Sequence, residues 1–181
     1  MRVITGTARG RRLKELSGEE TRPTTDRVKE AMFSIVQFDI EGRRVLDLFG
    51  GTGQLGIECL SRSAESVTFI DVRKEAVSLI RENLALTGLG ERARVLQSDY
   101  LAFLTACREK FDLIFLDPPY ASGFLEKALE TIATIDILSQ NGIIVCESAM
   151  EKLLPSLNEP YKMGKEYRYG KIKLTTYRRT V

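Results

Sequence analysis

The chain has 181 residues, 43% of them apolar, which suits one packed domain with a small appendage; it has no run of ~18 apolar residues for a membrane span and no apolar leader after Met1. It has no histidine and only three scattered cysteines, Cys59, Cys107 and Cys146. That excludes Ser-His-Asp triads, Cys-His pairs and histidine-bearing zinc sites, so no metal is expected and the thiols read as reduced ones in a cytoplasmic protein. The net charge of +2 hides an asymmetry: residues 1–29 hold 8 Lys/Arg against 4 Asp/Glu, residues 161–181 hold 7 against 1, and the stretch between them holds 12 against 20.

Residues 2–14 read as a short hairpin, with Gly6 and Gly10 as turn residues between Val3-Ile4 and Leu13. A loop through Ser17-Gly18 reaches Pro23, and Thr24 or Thr25 then caps a helix carrying Val28, Ala31, Met32, Ile35 and Val36 at helical spacing. From Arg44 the pattern alternates. Strands are predicted at Val45–Phe49, Val67–Ile70, Arg94–Leu96, Phe111–Leu116 and Ile143–Cys146. Helices are predicted near Leu55–Ser61, Ala76–Gly88, Tyr100–Arg108 and Phe124–Ile132. Such alternation implies a parallel sheet covered on both faces. Tyr161–Tyr169 and Lys171–Tyr177, either side of Gly170, read as a terminal antiparallel pair.

The segment Asp47-Leu48-Phe49-Gly50-Gly51-Thr52-Gly53-Gln54-Leu55-Gly56 follows a strand and opens a helix. A glycine-rich turn there lies at the carboxyl end of the first strand, where open α/β sheets bind ligands, and Asp71 ends the next strand in reach of ribose hydroxyls. Gly51, Gly53, Gly56 and Asp71 also fit the nicotinamide-dinucleotide fingerprint. Asp47 tips the balance. A carboxylate at this point repels a pyrophosphate and attracts, directly or through water, a cofactor with a cationic amino-acid end such as S-adenosylmethionine.

Asp117-Pro118-Pro119-Tyr120 directly follows the fourth strand. The two prolines remove two backbone donors and stiffen the chain. The Asp117 carboxylate and the Pro118 carbonyl can accept both hydrogens of a base amino group. That localises its lone pair and stabilises the charge that grows as the nitrogen attacks. Tyr120 can stack on the base. The alternative is a plain helix-start turn.

These two elements resemble the class I amino-methyltransferases. The likeness extends to Arg9-Gly10-Arg11-Arg12-Leu13, to Thr21–Phe33 and to Phe111–Tyr120, which resemble the RsmD family of 16S ribosomal RNA guanine-N2 methyltransferases over essentially the whole chain. The resemblance implies a Rossmann-like α/β fold: a mostly parallel seven-stranded sheet with an antiparallel C-terminal strand and helices on both faces, behind a short N-terminal hairpin. Residues 1–23 would form a basic arm and 24–181 the methyltransferase domain. Asp47, Phe49, Gly50, Gly51, Thr52 and Gly53 would line the methionine part of S-adenosylmethionine. Asp71 and Val72 would hold ribose and adenine, and Ser98, Asp99 and Tyr100 would border the adenine amino group. Arg22 and Thr24 would close the donor or base pocket on the RNA side, and Arg9, Arg11, Arg12 and Arg27 would meet RNA phosphates. The family commonly has Ala-Gly-Ser where this chain has Gly50-Gly51-Thr52, and often Glu in place of Asp71; size class and charge are kept.

The expected partner is therefore ribosomal RNA, in a small-subunit particle, engaged by a monomer. The basic ends suit such a polyanion, though they equally suit plain solvated termini. Three rivals remain open: the same chemistry on adenine N6 in DNA or RNA, a nicotinamide-dependent oxidoreductase, and a non-catalytic RNA-binding assembly factor.

Overall fold

The computed structural model describes residues 1–18, 25–119 and 123–181. Arg22, Thr24 and Tyr120 lie outside the described residues. Seven strands form one sheet: β1 (Arg44–Asp47), β2 (Ser66–Asp71), β3 (Ala93–Gln97), β4 (Phe111–Leu116), β5 (Leu138–Ala149), β6 (Tyr161–Tyr169) and β7 (Ile172–Arg179). Their order is β3-β2-β1-β4-β5-β7-β6. β1 to β5 are parallel, and β7 runs antiparallel to β5 and to β6. Inserting a reversed strand beside β5 separates this sheet from the 3-2-1-4-5-6 dinucleotide-binding order and gives the class I methyltransferase arrangement.

Strand alternation divides the core into two layers. Val45, Phe69, Leu113, Phe115 and Val145 face the layer covered by α1 (Asp26–Ile35), α2 (Gln54–Ser61) and α3 (Lys74–Thr87). Leu46, Ile70, Ile114, Leu116 and Cys146 face α4 (Tyr100–Ala106) and α5 (Phe124–Ile135). Thr25 caps α1, its Oγ1 accepting from Val28 N at 3.3 Å.

The amino-terminal turn closes through a single antiparallel bridge, Arg2 to Arg12, with Gly10 N donating to Val3 O at 2.9 Å. Val3, Ala8 and Leu13 sink into the first core layer, so this segment packs on α1 and α2.

Several boundaries shift from the sequence reading. β1 stops at Asp47, because Leu48 onward turns into the glycine loop. α4 stops at Ala106. β5 starts at Leu138 and runs to Ala149, because β4 pairs its first residue and β7 its last. α5 ends on Asp136, whose φ of 53° is left-handed, and its carboxylate accepts from Arg179 at 2.9 and 3.0 Å and from Tyr161 Oη at 2.6 Å. This network ties the helix end to the terminal strand pair and holds the Asp136 carboxyl well below the usual range, chiefly through the Arg179 hydrogen bonds. Among the described residues no helix is long and apolar enough to cross a membrane, and no cluster of His, Cys, Asp or Glu is built to hold a metal.

Candidate active site

The carboxyl ends of β1, β2, β4 and β5 open on one cavity of about 730 Å³, within the roughly 300–1,000 Å³ typical of cofactor and small-molecule sites. Its wall holds Phe49 to Thr52 from the glycine loop, Asp71 at the end of β2 and Val72 just after it. It also holds Ser98 to Tyr100 at the start of α4, and Asp117 to Pro119 after β4. The glycine loop and the Asp-Pro-Pro element thus face the same space.

The loop's shape comes from its glycines. Gly51 and Gly53 sit at φ 58° and 83°, a region that favours glycine, and Gly53 N donates to Gly50 O at 2.8 Å. A Cβ on Gly56 would lie 2.3 Å from the Phe69 ring, so this glycine lets α2 lie against β2. Gly53 starts α2 from beneath the loop and is not part of the cavity wall.

Asp71 fixes the loop from the side. Its Oδ2 accepts from Gly51 N at 2.9 Å and its Oδ1 from Arg73 N at 2.9 Å, while Arg73 Nε lies 3.1 Å from Oδ1. Val72 beside it is 61% exposed, an apolar platform at the cavity edge. Asp99 caps α4, accepting from Leu101 N and Ala102 N at 3.0 Å each.

Asp47 is placed differently from the sequence expectation. It is 1% exposed and lies behind the loop, outside the cavity wall. Its Oδ2 accepts from Gly56 N at 3.3 Å, and its Oδ1 has no hydrogen-bond partner among the described residues. Burial, with the charges of Asp117 and Asp71 adding to it, pushes this carboxyl up to about 8. Gln54, 7% exposed, does line the cavity here, and its Oε1 is buried without a partner among the described residues.

Sequence reasoning missed Gln54, Phe124 and Glu147. Phe124 opens α5 and stacks on Phe49, with centroids 6.2 Å apart and planes at 3°; Tyr100 meets both rings, at 4.9 Å from Phe124 and 5.2 Å from Phe49. Glu147 lies on β5 one residue beyond the predicted strand end, so the strand-exit logic that found Asp71 and Asp117 applies to it too. Leu16 and Gly18 of the amino-terminal segment also reach the wall. Arg9, Arg11, Arg12 and Arg27 are exposed and lie outside the cavity lining.

Residues 1–178 match the family model described as conserved hypothetical protein 95. The chain belongs to this family. Ribosomal RNA small subunit methyltransferase D of Haemophilus influenzae is 38% identical over 157 residues, covering 85% of this chain and 81% of that protein. The protein of the same name in Escherichia coli is 33% identical over 179 residues, covering 99% and 90%. Among solved structures, yhhF of Escherichia coli superposes with a TM-score of 0.89 at 33% identity, covering 99% of this chain and 98% of that one. An RNA methyltransferase of Salinibacter ruber, solved with S-adenosyl-L-homocysteine, shares the fold at a TM-score of 0.69 and 16% identity, covering 88% and 94%.

Proposed function

We propose that this protein transfers a methyl group from S-adenosylmethionine to the exocyclic N2 amine of a guanine in small-subunit ribosomal RNA. Family membership and the names its relatives carry support S-adenosylmethionine-dependent methylation of ribosomal RNA. The observation that carries the reading is the shared cavity, in which the glycine loop faces Asp117 and Pro118.

The wall fits the cofactor. Val72 offers an apolar face to adenine and Asp71 a carboxylate to ribose, while Gln54 lines the wall beside the glycine loop assigned to the amino-acid end. S-adenosylmethionine supplies an electrophilic methyl on a sulfonium. The chain's own residues do the rest. The Asp117 carboxylate and the Pro118 carbonyl accept the two amine hydrogens and turn the nitrogen lone pair toward the methyl. Pro118 and Pro119 contribute no competing N–H. Phe49, Tyr100 and Phe124 form an aromatic wall that keeps water from the reacting atoms. Tyr120, outside the described residues, is assigned to stacking on the base. The guanine must leave its stack to enter, and the basic arm, residues 1–23, is assigned the phosphate contacts that offset this.

The test is mass spectrometry of ribosomal RNA nucleosides from cells with and without the gene. N2-methylguanosine is expected to fall on deletion and to return with the parent gene. It should not return with Asp117→Asn, whose rate in vitro should drop about 10²- to 10³-fold while S-adenosylmethionine affinity is retained. Loss of N6-methyladenosine instead would assign the adenine rival. Unchanged nucleosides would reject the proposal.

A further inference from the structure

Glu147 is a carboxylate of the cavity wall with no part in the scheme above. Glu147 sits on β5 next to the exit of β4. The parallel register pairs Leu116 with Cys146, so Asp117 and Glu147 are the next residues along their neighbouring strands. Glu147 is 6% exposed and shares the cavity wall with Asp117, Pro118 and Pro119. A smaller recess of about 50 Å³ opens against the same wall, bounded by Asp117, Pro118, Phe124, Glu147, Ser148 and Lys152. Asp117 to Pro119, Phe124 and Glu147 therefore border both spaces. Lys152, the cation of the recess, is held by Glu126 at 2.8 Å.

Asp117 and Pro118 alone cannot select a base. Guanine, adenine and cytosine each carry an amine with two hydrogens, and two acceptors satisfy any of them. The bases differ at the ring nitrogen beside the amine. Guanine N1 bears a hydrogen, whereas adenine N1 and cytosine N3 bear a lone pair. An ionised carboxylate only accepts hydrogen bonds.

We propose that Glu147 accepts the N1–H of the guanine whose amine is held by Asp117 and Pro118, and so selects guanine over adenine and cytosine. The inference rests on the guanine reading above. With guanine the contact is a hydrogen bond from N1–H to a Glu147 oxygen in a wall where that residue is 6% exposed. With adenine or cytosine it sets lone pair against lone pair, a repulsion that rejects the wrong base.

The experiment uses the full chain and small-subunit particles from cells lacking it. The wild-type reaction first locates the methylated guanosine. Particles are then rebuilt with 2-aminopurine at that position, a base that keeps the N2 amine but has no hydrogen on N1. Wild-type protein should methylate guanine about 10- to 100-fold faster than 2-aminopurine. Glu147→Gln, whose amide can donate to the bare N1, should bring the two rates to within a few-fold of each other. Melting temperature and S-adenosylmethionine affinity serve as the folding control. Equal wild-type rates on the two bases would overturn the assignment, and that comparison needs no variant to fold. A wild-type preference that persists unchanged in a folded Glu147→Gln protein would overturn it too, since the O6 atom would then account for the preference. If wild-type protein makes no N2-methylguanosine, the guanine reading itself fails. If it does and the ratios do not move, only the role of Glu147 fails.

Discussion

Asp47 is a costly side chain to bury in the first core layer. Its carboxyl is 1% exposed, accepts one hydrogen bond, from Gly56 N at 3.3 Å, and leaves Oδ1 without a partner among the described residues. Loss of water makes the charged form costly, and Asp117 and Asp71 add repulsion, so the group moves from 3.8 up to about 8. At pH 6 the folded protein thus holds a proton on Asp47 that the unfolded chain has lost. Linkage then fixes the sign: this group's contribution to stability is complete below about pH 4 and is lost as pH rises toward 8. Asp47→Asn keeps an acceptor for Gly56 N and removes the titration. The melting temperature of the parent, measured from pH 5 to pH 8, should therefore fall relative to that of Asp47→Asn as pH rises. Parallel curves for the two proteins would show that Asp47 does not titrate in that window.

Helix α2 carries the glycine loop at its start, and all eight of its residues are buried. One of them is Glu58, which is tolerated there because four donors converge on it. Ile4 N and Thr5 N donate at 2.8 and 3.0 Å, Arg62 Nε at 2.9 Å, and Lys29 Nζ lies 3.2 Å away with both side chains fully buried. Glu58→Ala leaves Arg2 O, at 3.1 Å, as the one hydrogen-bond acceptor of the Lys29 ammonium among the described residues, and strands two backbone N–H groups. Urea denaturation should show a loss of about 3–5 kcal/mol, with a smaller loss for Glu58→Gln. A loss under about 1 kcal/mol would mean that the amino-terminal segment peels away and hydrates the orphaned groups. The contrast with Asp71 and Asp117 explains what was legible in the sequence. Those two follow buried apolar strands, so local pattern alone sets them at strand exits. Glu58 lies mid-helix, and its burial depends on contacts 53 and 54 residues away that no local window contains. Glu147 escaped for a related reason. The apolar run Ile143–Cys146 ends where the charged Glu147 begins, whereas in the fold β5 continues because β7 pairs with it as far as Ala149.

The folded molecule redistributes the charge asymmetry of the sequence. In the terminal strand pair much of the basic excess is already engaged. Arg178 meets Asp39 at 3.1 Å, Arg179 meets Asp136 at 2.9 Å, and Lys173, 3% exposed, meets Glu166 at 3.3 Å. At the other end Arg9, Arg11 and Arg12 are exposed on a turn anchored into the core by Val3, Ala8 and Leu13. A cation already matched to a carboxylate adds little to the attraction for a phosphate, whereas each Lys or Arg that newly neutralises one releases a counterion. The amino-terminal arginines are therefore the stronger candidates for the proposed RNA contact. Affinity for small-subunit ribosomal RNA, measured across a salt series, should fall linearly on a log-log plot. Replacing Arg9, Arg11 and Arg12 together by Ala should flatten that slope by roughly 0.7–0.9 for each phosphate contact removed, whereas Arg178→Ala should leave it nearly unchanged. The reverse pattern, a slope that responds to Arg178 and not to the three arginines, would move the RNA path to the β6–β7 edge and leave the amino-terminal turn as a packed cover over α2.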